Sequence, residues 1–96
     1  MLRDDVLREA GRLINGDRAE AYGSARDNFS VIADLWGAYL GCELGSHQVA
    51  VMMILVKVAR LVPTPTHVDS WVDMAGYAAL GGEIATEDGD DGGRAR

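Results

Sequence analysis

Only one cysteine, Cys42, stands among the 96 residues. This excludes an internal disulfide and any zinc cluster built on cysteines, and it suits a reducing compartment. Basic residues are also scarce, nine Lys and Arg against fifteen Asp and Glu, for a formal charge of -6. Such a chain lacks the basic surface that duplex phosphates require, which argues against duplex nucleic acid as a partner. Long apolar runs are missing as well. The longest, from Val49 to Val56, falls far short of the roughly 20 residues needed to span a bilayer. The N-terminal stretch MLRDDVLREAGRLI carries acids and no long apolar core, so it does not read as a secretory signal, and a soluble cytoplasmic protein is expected. Aromatic residues make up 6% of the chain against a hydrophobic fraction of 48%, a balance that fits a compact helical protein better than a disordered one.

What is present is helical periodicity. Val6, Leu7, Ala10, Leu13 and Ile14 form a first amphipathic face, with Asp4 and Arg8 spaced to pair on the other side, and Asn15-Gly16-Asp17 stops the helix. A polar connection follows from Asp17 to Gly23, holding Arg18 and Tyr22. Ser24 and Asp27 have the spacing of a capping box, and Phe29, Ile32, Ala33, Trp36 and Leu40 make the clearest stripe in the chain, so a second helix is expected over Ala25–Leu40, closed by Gly41. Ser46 is the expected N-cap of a third helix running to Leu61. Its residues from Val49 to Val56 are apolar on every side, which places it at the centre of the bundle. Pro63-Thr64-Pro65 ends it, because proline lacks an amide donor and restricts the residue before it. A second capping-box spacing, Thr66 to Asp69, starts a fourth helix near His67. The expected fold is therefore all-α, a bundle of about four helices over residues 1–84, with 85–96 as a disordered acidic glycine-rich tail. A core this small leaves little surplus stability, so a homo-oligomer is also expected.

The chemically suggestive residues lie around the third and fourth helices. Lys57 and Arg60 stand three apart at the end of the apolar helix, and Asp69, Asp73 and Tyr77 stand four apart each on the next. Two cations and two carboxylates near one connection make either an anion or metal site or an ion-pair cluster that holds a helical hairpin together. Cations also suit a helix C-terminus, and Asp69 suits a helix start. Asp73, one turn further in, needs solvent, a cation or a metal. Gly76 costs about 1 kcal/mol relative to alanine inside a helix, which points to close approach of a neighbouring helix or a ligand.

The order Arg18, Tyr22-Gly23, Asn28-Phe29, Ile32-Ala33, Trp36, Met52-Met53, Lys57, Arg60, Asp69-Ser70-Trp71, Asp73, Gly76-Tyr77 resembles a family of small tailed-phage proteins of unassigned function. More distantly it is similar to the nucleotide modification associated domain grouped with the MazG-like all-α nucleotide pyrophosphatases. That wider resemblance implies a helical bundle, often dimeric, that binds nucleoside phosphates in the host cytoplasm, with Mg2+ held by carboxylates on facing helices. The enzymes carry Glu-x-x-Glu on one helix and Glu-x-x-Asp on the next, because Mg2+ takes several hard oxygen ligands. Here the third helix has no acid, leaving Asp69 and Asp73 as the candidate Mg2+ ligands on the fourth. Phosphate recognition would fall to Arg18, Lys57 and Arg60, with Tyr22 or Tyr77 stacking on a base and Asn28 touching base or metal. Three functions follow: a nucleoside phosphate binder or diverged pyrophosphatase, a sponge for a nucleotide signal in host defence, or a structural module.

Overall fold

In a computed structural model, which describes residues 1–16 and 25–87, the described chain folds into four helices and no strand. Helix α1 covers Arg3–Asn15, α2 Ala25–Leu40, α3 Ser46–Leu61 and α4 Val68–Thr86. The polar connection with Arg18 and Tyr22, the Ser24 half of the first capping box, and most of the expected acidic tail lie outside the described residues.

Local chemistry accounts for the helix ends, with several shifts from expectation. The Leu2 amide donates to Asp5 Oδ2 at 2.9 Å, and Asp4 and Asp5 face the positive end of the α1 dipole while Arg12 sits at the other. Arg8 pairs with Asp5 at 3.2 Å instead of with Asp4. At the end of α2, Gly41 takes the left-handed φ of 74°, and the amides of Gly41 and Cys42 both donate to the Gly37 carbonyl. The chain then doubles back so tightly that a Cβ on Gly37 would lie 2.6 Å from the Cys42 carbonyl oxygen. Ser46 is not the cap of α3. Gly45 holds that position, and its amide donates to Gln48 Oε1 at 2.7 Å, leaving Ser46 Oγ to meet Ser30 Oγ of α2 at 2.9 Å. Nor does Thr66 cap α4, which begins after His67. His67 Nδ1 instead lies 2.7 Å from the hydroxyl of Ser70, a fully buried polar side chain, and the Trp71 indole N–H donates to the Pro65 carbonyl across the turn.

Helices α3 and α4 form an antiparallel hairpin. Its register is set by Lys57 against Asp73 at one end and Ala50 against Gly81 at the other. A Cβ on Gly81 would come within 2.8 Å of the Ala50 Cβ, so glycine is what lets the two helices cross this closely. Helix α1 lies on α4 with Ile14 against Gly76, the close approach that the glycine inside the fourth helix foretold, and α2 packs on α3. The core gathers Phe29, Ala33, Val49, Ala50 and Ile84, with Trp36, Met53, Tyr77 and Leu80 packed around it. Two expectations change here. Helix α4 runs through Gly81-Gly82 to Thr86, past the expected end of the domain, because Ile84 is buried in the core. Helix α3 touches both α2 and α4, but the described residues do not enclose it: Val51, Leu55, Val56 and Val58 remain exposed, because these two helices pack on only part of its circumference.

Candidate functional site

A cleft of about 580 Å3 opens where the last turns of α1, the first turns of α2 and the inner face of α4 converge, with Lys57 of α3 on its wall. The size suits a small organic ligand, for which pockets run from about 300 to 1,000 Å3. Its apolar lining comes mainly from Leu13, Ile14, Phe29, Val72, Leu80 and Ile84, and its polar groups are Asn15, Asn28, Lys57, Asp73, Tyr77, Arg26, Glu83 and Glu87. A second depression of about 660 Å3, beside the α2–α3 connection, is lined by Asp34, Glu43 and Gln48 but by no cation and no aromatic ring.

Periodicity explains the convergence. On α4, Asp73, Tyr77, Leu80 and Ile84 follow one another at spacings of four, three and four, so they share the face turned to the cleft. Asp73 Oδ2 lies 3.1 Å from Lys57 Nζ, and the lysine is the more enclosed of the two side chains. The Tyr77 ring stands 6.2 Å from that of Phe29, tilted by 32°, which fixes one wall with two aromatic faces. At the rim, Arg26 Nη1 donates to Glu87 Oε2 at 2.6 Å, tying the start of α2 to the end of α4.

Of the residues singled out from sequence, Asn28, Lys57, Asp73 and Tyr77 line this cleft together. Arg60 and Asp69 are exposed and do not line it. Asp69 stands in the first turn of α4, where the helix dipole accounts for it. Asp73 is engaged by a lysine, and among the described residues no three His, Cys, Asp or Glu side chains gather to hold a metal ion. Of the two candidate Mg2+ ligands, Asp73 lines the cleft and Asp69 does not. Arg26, Glu83 and Glu87 were not anticipated. Arg26 precedes Phe29 by three residues, and that spacing was the available signal. Glu87 falls in the expected acidic tail and Glu83 at the very end of the expected domain, because nothing local shows that Ile84 carries the helix onward.

The architecture defines a small all-α domain with an amphipathic, mixed-charge cleft, and the chain belongs to the family described as Domain of unknown function (DUF6378), whose model matches residues 5–85. It is 50% identical over 76 residues to the Gene 55 protein of Mycobacterium phage L5, covering 78% of this chain and 49% of that one. It is 48% identical over 77 residues to the Gene 55 protein of Mycobacterium phage D29, covering 80% and 51%. The chain thus spans about half the length of the curated relatives it matches. No solved structure matches it. No helix among the described residues is long and apolar enough to cross a membrane.

Proposed function

We propose that the cleft binds a nucleoside phosphate without breaking it, in the cytoplasm of an infected host cell. The observation that supports this reading is a cation, Lys57, enclosed on the wall of a ligand-sized cleft beside an aromatic face and an amide, Tyr77 and Asn28. Tyr77 takes the base, Asn28 hydrogen-bonds its edge, and Lys57 turns from Asp73 to a phosphate oxygen. The sequence pattern read as similar to MazG-like pyrophosphatases would point to the same ligand class, and the lack of a converging carboxylate set among the described residues favours binding over hydrolysis. Any Mg2+ at this site arrives on the ligand's phosphates, with Asp73 as the candidate ligand that lines the cleft and Asp69 outside it. Such a binder would serve as a sponge for a nucleotide signal.

The experiment is a thermal-shift and calorimetric titration with a panel of ribo- and deoxynucleoside phosphates, with and without Mg2+, while products are separated by ion exchange. Stabilisation by one nucleotide, lost in Lys57→Ala and in Tyr77→Ala, with no product formed, is the expected result. Release of pyrophosphate that disappears in Asp73→Ala would replace binding by catalysis. A flat response across the panel would leave Lys57 and Asp73 as an ion pair of the α3–α4 hairpin, the structural reading that their 3.1 Å contact favours.

A further inference from the structure

Helix α3 carries an apolar stripe that none of the described residues covers. Val51, Leu55, Val58 and Val62 follow at spacings of four, three and four, the rhythm of a helix-pairing seam. They are 52%, 59%, 39% and 80% exposed. The hairpin register, Lys57 to Asp73 and Ala50 to Gly81, brings Trp71 of α4 alongside the last turns of α3. Trp71 is half exposed, and its ring is held in place by the indole N–H bond to Pro65, at 2.9 Å. No charge interrupts the stripe. Lys57 is turned to Asp73, and by helical periodicity Arg60 falls on the opposite side of α3.

We propose that the outer face of the α3–α4 hairpin is the seat of a second copy of this chain, paired about a two-fold axis through antiparallel α3 helices. Two observations favour a copy over an unrelated partner. A four-three-four spacing reads the same in either direction, so antiparallel pairing sets Val51 opposite Val62 of the second copy and Leu55 opposite Val58, which is the self-complementarity an isologous interface requires. The area also matches. With an aromatic side chain exposing about 150–250 Å2 when free and aliphatic ones less, the four stripe residues, Val68 and Trp71 present on the order of 500 Å2. A standard interface takes about 800 Å2 from each partner, about 65% of it apolar in homodimers. Trp71 lies at the edge of the seam as a rigid anchor, the residue type that dominates interface energetics.

The test is sedimentation equilibrium of the full chain across a concentration series, with far-UV circular dichroism on the same samples. The wild type is expected at twice the monomer mass, Leu55→Glu at the monomer mass with its helicity unchanged, and Leu35→Glu, on the exposed outer face of α2, at the doubled mass. Should Leu55→Glu unfold the chain, Val62→Glu, at the exposed end of the stripe, carries the same test. A wild type that sediments as a monomer at every concentration overturns the proposal. So does a doubled mass that survives the stripe substitutions or is lost equally in Leu35→Glu.

Discussion

Replacing Gly81 and Gly82 by alanine, one at a time, should move stability in opposite directions although the two are neighbours in one helix. Each substitution gains about 1 kcal/mol in helix propensity. At Gly82 nothing lies within 4 Å of the new methyl group, so the gain stands. At Gly81 the methyl would meet the Ala50 Cβ at 2.8 Å, and neither helix can yield without moving its backbone. Overpacking of this kind costs about 1–3 kcal/mol. The net change for Gly81→Ala therefore runs from near zero to a loss of about 2 kcal/mol, and the two variants should differ by about 1–3 kcal/mol. At about 4–8 °C per kcal/mol for a domain of this size, that is a separation of several degrees in Tm. Urea and thermal unfolding followed by circular dichroism measure it directly. A Gly81→Ala protein stabilised as much as Gly82→Ala would refute the close crossing of α3 and α4, and with it the register on which the cleft and the α3 stripe both depend.

The Lys57 and Asp73 side chains are 15% and 34% exposed, between a surface pair worth about 0–1 kcal/mol and a buried one whose breakage costs about 3–5 kcal/mol. Lys57→Met should therefore lose about 1–2 kcal/mol in urea unfolding, and adding Asp73→Leu should restore most of it; a double variant no more stable than the single one would show that the pair is not what couples these positions. Hydrogen bonds from the Arg12 guanidinium hold the Glu9 carboxyl below the ordinary glutamate range, outweighing desolvation, which raises it, with the guanidinium's charge adding the least. The pair's contribution is thus present above the ordinary glutamate value and is lost as pH falls through the lowered one. Carboxyl NMR titration should place the Glu9 midpoint below those of exposed glutamates, and Arg12→Ala should raise it; a Glu9 midpoint unmoved by that substitution would count against the pair.

Much of the fold could be read from local pattern. The stripe from Phe29 to Leu40 and the breaks at Asn15-Gly16, Gly41 and Pro63-Thr64-Pro65 mark the helices, because 3.6-residue periodicity and backbone restriction act over a few residues. The caps were less legible. Gln48 takes the Gly45 amide at the start of α3, no side-chain hydrogen bond caps α4, and local spacing cannot distinguish Ser46 turned to Ser30 from Ser46 turned to its own helix. The site was legible in part. Residue type and spacing mark Lys57, Asp73 and Tyr77 as chemically suggestive and the family resemblance adds Asn28, but that they share a cleft while Arg60 and Asp69 stand apart depends on how α1 and α2 lie across the hairpin.

The sequence by itself determined the all-α class, the helix boundaries to within a residue or two except the end of α4, and the need for a close approach at Gly76, since each follows from interactions between residues near in the chain. Only the tertiary structure decided that α4 continues to Thr86, that Arg26 reaches Glu87, and that an apolar α3 is left partly uncovered. The physical reason is common to all three. Burial of Ile84, pairing of charges 61 residues apart and exposure of Leu55 are set by which surfaces meet, and hydrophobic burial has no direction along the chain to announce its partner.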